Sequence, residues 1–198
     1  YGGSSEISWK ALKNLPFQYL NAANIGVSWW SHDVGGNHGG IEDDDLYIRY
    51  LELGVFSPIL RFHGARGPYY KKEPWLWDAK TLAISAKYLR LRHRLIPYLY
   101  TEAYNYTRSG TPLIQPFYYN YMWVYDDDLY RNQYYFGSQL LVCPILEPKP
   151  EFNCCPKLGD LTEKINATDG SLTLAVTDGT NIAGGYFTNI GEDKEVEV

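Results

Sequence analysis

An aspartate and a histidine, Asp33 and His63, close two similar stretches, "VSWWSHDVGG" and "PILRFHGARG". Each stretch is bulky and apolar, turns polar at its last residues, and then reaches glycine. A carboxylate accepts hydrogen bonds from hydroxyls and an imidazole can donate one, so the two side chains could grip a polyol. Each also has a plainer reading. Asp33 suits a turn that ends a strand, and His63 taken alone reads better as a satisfied core histidine. Trp29, Trp30, Trp75 and Trp77 offer flat faces on which a sugar ring could lie, although packing accounts for at least half of them.

Other chemistries fit less well. Gly35, Gly36, Gly39 and Gly40 match neither the spacing of a phosphate loop nor that of a dinucleotide fingerprint. His32 and His38 have no third metal ligand nearby in sequence. No cofactor is therefore expected. Asp126-Asp127-Asp128 reads as a helix cap.

The elements that must position Asp33 and His63 follow from periodicity. Ser8 to Tyr19 is weakly helical, with Pro16 ending or bending it. Ile25 to Ser31 reads as a strand covered on both faces. Asp43-Asp44-Asp45 opens a helix whose buried stripe is Leu46, Tyr47, Tyr50, Leu51 and Phe56. Pro58 to Phe62 is a second buried strand. A long helix follows over 78–108, kinked near Pro97 and capped by Gly110. Pro112–Tyr121 reads as a strand, Asp126–Phe136 as a helix and Gln139–Leu146 as a strand. Strands alternating with helices indicate a parallel sheet, in which sites gather at the C-terminal strand ends. Asp33 and His63 each occupy such an end.

Composition narrows the partners. A chain of 198 residues with 45% hydrophobic and 21% charged residues folds rather than remaining disordered. A net charge of −5 without a Lys/Arg cluster excludes nucleic acid and anionic membrane as expected partners, and no apolar run is long enough to span a bilayer. Oligomeric state is unreadable. The start "YGGSSEISWK" carries no initiator Met and no leader pattern, as for a chain beginning mid-protein. Cys143, Cys154 and Cys155 do not make a disulfide framework, so reduced thiols and a cytoplasmic location are expected. The sequons Asn105-Tyr106-Thr107 and Asn166-Ala167-Thr168 are read as chance. After Pro150 the composition changes, and "ATDGSLTLAVTDGT" has the alternation and Asp-Gly pairs of a hairpin.

"NIGVSWWSHDVGG", "DDDLYIRYLELGVFSPILRFHG", "KEPW", "LRHRLIPYLYTEAYNYTRSGTPLIQPFYY" and "QYYFGSQLLVCPIL" together resemble glycoside hydrolase family 31, which contains α-glucosidases and α-xylosidases. The resemblance runs from about Tyr1 to Pro148. It implies an α/β fold: the later part of a (β/α)8 TIM barrel over 1–136, followed by the start of a C-terminal β-sandwich domain over 137–198. It also implies that Asp33 and His63 bind sugar hydroxyls in the cleavage subsite. Arg61 of the R-x-H motif and the platform candidate Trp30 join them as substrate-binding candidates.

Retaining glycosidases need two carboxylates about 5–5.5 Å apart. The resemblance places the nucleophile in a motif upstream of Tyr1. It places the acid/base five residues before Trp9, where this sequence has Ser4. A serine hydroxyl cannot protonate a leaving group as a carboxylic acid does. The expectation is a piece of an α-glucoside- or oligosaccharide-cleaving enzyme, inactive by itself. The rival is a non-catalytic carbohydrate-binding homologue. The tail "EFNCCPKLGDLTEKINATDG" departs from the family's pattern.

Overall fold

A computed structural model describes residues 2–41, 43–65, 70–125 and 127–148, together with the backbone of three strands further on. Helix α1 (Trp9–Asn24) begins where Ser8 Oγ accepts from the Ala11 N–H at 3.2 Å. Its apolar side recurs at Leu12, Leu15, Tyr19, Leu20 and Ala23, the spacing of one helix face. Pro16 sits inside α1 and does not end it. Helix α2 (Asp44–Val55) is capped by Asp43, whose Oδ1 accepts from Asp45 N–H at 2.9 Å and Leu46 N–H at 3.3 Å. Every residue from Leu46 to Val55 is buried, so α2 is the hydrophobic centre rather than a half-exposed covering layer.

The long helix expected over 78–108 is two helices, α3 (Ala79–Arg94) and α4 (Ile96–Ser109), meeting at Leu95. Pro97 explains the break, since its ring fits the first turn of a helix and not its interior. Gly110 ends α4 in the left-handed conformation (φ 73°). Tyr19, Tyr50, Leu51, Val55 and Val34 pack together with Tyr134 and Phe136 in one core. Tyr19 meets Tyr134 edge-on at 5.9 Å, and Phe56 meets Phe136 likewise at 6.1 Å.

The segments expected as strands at 25–31 and 58–62 pair at a single parallel bridge, Ser31 with Ile59. Ile59 N–H donates to the Trp30 carbonyl at 3.3 Å, and Val34 N–H donates to the Arg61 carbonyl at 3.0 Å. The expected parallel order is present; regular strands are not.

Strand β1 (Ile114–Pro116) pairs antiparallel with β2 (Tyr134–Phe136), and β2 with β3 (Leu140–Val142). The sheet thus starts upstream of residue 137, where the resemblance puts the start of the C-terminal domain. The expected strand 112–121 is cut short at Pro116, and short 3-10 helices follow at Phe117–Tyr119 and Met122–Val124. The expected helix over 126–136 consists instead of turns leading into β2 among its described residues. Strand β4 (Leu174–Thr177) lies parallel to β3, and β5 (Gly185–Asn189) and β6 (Glu192–Glu197) continue antiparallel. Most of the expected Asp-Gly hairpin and the Asn166 sequon lie outside the described residues. Cys143, just after β3, is disulfide-bonded, against the expectation of reduced thiols. Its partner lies outside the described residues.

Candidate functional site

Where the two extended segments end, Asp33 and Arg61 meet: Arg61 Nη2 donates to Asp33 Oδ1 at 2.5 Å. Asn37 Nδ2 donates to Asp33 Oδ2 at 2.7 Å. Asp33 is fully buried, whereas the Arg61 side chain is 36% exposed. A buried carboxylate is tolerated when both oxygens are engaged and a cation is adjacent. Asp33 therefore offers no open surface to a sugar in this arrangement, and Arg61 carries the charge toward solvent. His63 lies two residues beyond Arg61 and is exposed.

Alternation sorts the remaining candidates. Leu60 and Phe62 pack on the core, while Ile59, Arg61 and His63 face away from it. On the neighbouring segment Val27 and Trp29 are 40% and 46% exposed. Trp30 instead packs against the core, with its indole nitrogen buried. The expected platform thus points toward the helices, and Trp29, an even number of residues from Asp33, occupies the open side.

His32 also faces inward. Its Nδ1 lies 2.6 Å from Tyr19 Oη, and its ring packs between Tyr19 and Tyr50. Desolvation pulls the imidazole down to about 4, although Asp33 acts in the opposite direction. His38, the other half of the considered metal pair, is exposed. Among the described residues no three His, Cys, Asp or Glu side chains gather as a metal site requires.

The glycine-rich loop after Asp33 is needed for close packing. A Cβ on Gly40 (φ 69°) would fall 1.9 Å from the Ile7 carbonyl oxygen, and one on Gly36 (φ 73°) would fall 2.8 Å from Ile7 Cα. Segment 2–7 can therefore lie directly against the loop. Gly2 N–H donates to the Ser31 carbonyl at 2.9 Å, and Asn37 N–H donates to that of Ser5 at 2.7 Å. These two bonds bracket Ser4 and bring its segment to the same mouth. Lys72, in the "KEPW" stretch, fastens the other side by donating to the Gly35 carbonyl at 2.8 Å. Neither Asn37 nor Lys72 was singled out from sequence. A cavity of about 770 Å³ lies along α1 between Lys10, Lys13, Phe17 and Arg131, and none of Asp33, Arg61, His63 or Trp30 lines it.

Parallel segments backed by helices, with polar side chains collected at their C-terminal ends, are the arrangement of β/α-barrel enzymes. Residues 1–102 match the glycosyl hydrolases family 31 TIM-barrel domain, and residues 110–155 match the glycosyl hydrolase family 31 C-terminal domain. The chain belongs to glycoside hydrolase family 31.

Among its relatives are the 1,3-alpha-isomaltosidase of Kribbella flavida and the alpha-xylosidase XylQ of Lactiplantibacillus pentosus. The first is 27% identical, covering 75% of this chain and 22% of the relative. The second is 37% identical, covering 68% and 20%. A family 31 alpha-xylosidase from a soil metagenome, solved with xylose, is 30% identical with a TM-score of 0.66; the match covers 74% of this chain and 25% of that one. The chain spans about a fifth of the length of each of these two curated relatives, 22% and 20%.

Proposed function

We propose that this chain forms one side of the sugar-binding mouth of a retaining α-glycosidase that hydrolyses terminal α-linked glucosides or oligosaccharides. The observation that carries the reading is the Asp33–Arg61 pair, with exposed His63 two residues beyond it, where two parallel segments end. Arg61 and His63 contact sugar hydroxyls. Asp33 acts from behind by holding the Arg61 guanidinium, and Trp29 stands on the same open face. Such contacts help catalysis as far as they strengthen in the oxocarbenium-like transition state. The nucleophilic carboxylate belongs to sequence beyond this chain, so residues 1–198 alone hydrolyse nothing.

Ser4 favours a second reading. A mouth that has lost its general acid can still bind sugar, which describes a non-catalytic homologue. One experiment separates the two. Full-length protein is assayed on p-nitrophenyl α-glucoside and α-xyloside, with and without Ser4→Asp, and titrated with maltose. Turnover of either glycoside, by the protein with Ser4 or by Ser4→Asp, supports the enzyme. Maltose binding without turnover in either form supports the binding homologue, and no binding at all refutes both.

A further inference from the structure

Asn37 joins three segments that the sequence keeps apart. Its side-chain amide donates to Asp33 Oδ2 at 2.7 Å. Its backbone N–H donates to the Ser5 carbonyl at 2.7 Å, and its own carbonyl accepts from Ala65 N–H at 2.8 Å. The first partner is the mouth aspartate. The second lies beside Ser4, and the third lies on the stretch that carries Arg61 and His63. Adjacent bonds repeat the pattern: His38 N–H donates to the Ser5 carbonyl at 3.2 Å, and Ile7 N–H donates to the His38 carbonyl at 3.0 Å. Asn37 is only 7% exposed, so it acts on a ligand through its neighbours.

We propose that Asn37 is a positioning residue of the mouth, the clasp that holds Ser4, Asp33, Arg61 and His63 in one register. The inference rests on the sugar-binding reading above. The two backbone bonds are open to any residue, and the bond to Asp33, which anchors them, requires an amide. An uncharged N–H donor occupies Asp33 Oδ2 and leaves Oδ1 to Arg61, so both oxygens of the buried carboxylate are engaged and its single charge is balanced by the guanidinium. Ionised aspartate has the same shape and no donor. It would set a second carboxylate against the first.

That isostere makes the test. Full-length wild type, Asn37→Ala and Asn37→Asp are compared by hydrogen exchange without ligand and by calorimetric titration with maltose. The clasp predicts about tenfold faster exchange in segments 2–7 and 61–65 of Asn37→Ala, and more in Asn37→Asp. It also predicts maltose affinity lower by about tenfold in Asn37→Ala, the loss of one hydrogen bond to a charged group. Wild-type exchange and affinity in Asn37→Ala would mean that the amide holds nothing, which overturns the proposal. Faster exchange with unchanged maltose affinity overturns it too, because nothing the sugar uses has then been positioned. If wild type takes no maltose, the sugar reading falls, and the exchange comparison still decides whether Asn37 is the clasp. Should Asn37→Asp not fold, Asn37→Ala decides: faster exchange together with weaker maltose binding supports the clasp, and wild-type rates or wild-type affinity overturn it.

Discussion

Asp33 and Arg61, 28 residues apart in the chain, meet where two parallel segments end, one partner sealed from solvent and the other reaching it. The arrangement makes the guanidinium the exposed agent of a buried charge. Arg61→Ala leaves Asp33 with the Asn37 amide in place of a cation. A loss of about 2 kcal/mol in unfolding free energy is expected, since a buried charged acceptor that loses its partner costs roughly that much. Maltose binding should disappear with it. Arg61→Lys keeps the charge without the planar fork and should recover stability more than affinity. Denaturant titration and calorimetry on full-length protein check both.

Gly40 and Gly26 make a controlled comparison. Both have positive φ, 69° and 77°. A Cβ on Gly26 would meet nothing within 4 Å, whereas one on Gly40 would strike the Ile7 carbonyl. Gly26→Ala should cost about 1 kcal/mol, the left-handed penalty alone. Gly40→Ala should cost at least twice that, because the backbone of segment 2–7 must move as well. Thermal midpoints of the two variants measure the difference.

The His32 imidazole sets a pH dependence. Its folded value, about 4, lies below the ordinary 6.5 because burial disfavours the charged ring. Between those values the unfolded chain holds a proton that the folded chain does not, so stability rises with pH across that window. The contribution is complete above about pH 6.5 and is lost as pH falls toward 4, roughly 3 kcal/mol in all. Urea midpoints at pH 7 and pH 4.5 should differ more for wild type than for His32→Phe, which has no ring nitrogen to charge.

Arg92 closes the end of α2. Its guanidinium donates to the carbonyls of Val55, Ser57 and Pro58 at 2.7, 2.6 and 2.7 Å. Burial lowers it to about 10, which leaves it charged at neutral pH. Arg92→Met retains the apolar stem and removes the donor from all three carbonyls. An expected cost of about 3 kcal/mol follows from three net hydrogen bonds. Arg92→Lys should restore only part, because one ammonium does not span the fork. Thermal melts of the two variants give the comparison.

Helix starts at Ser8, Asp43 and Asp78 were legible because a cap and its partners lie within three residues of one another. The strand–helix–strand order and the polar residues at strand ends were legible for the same local reason, and the family followed from several motifs in series. What the tertiary structure decided were relations between distant segments: the sealing of Asp33 under Arg61 and Asn37, the disulfide at Cys143, the break of the long helix at Leu95, and a single bridge where two strands were expected. Burial and partner choice depend on which surfaces meet. No window of neighbouring residues holds that information, because the contacts join residues tens of positions apart.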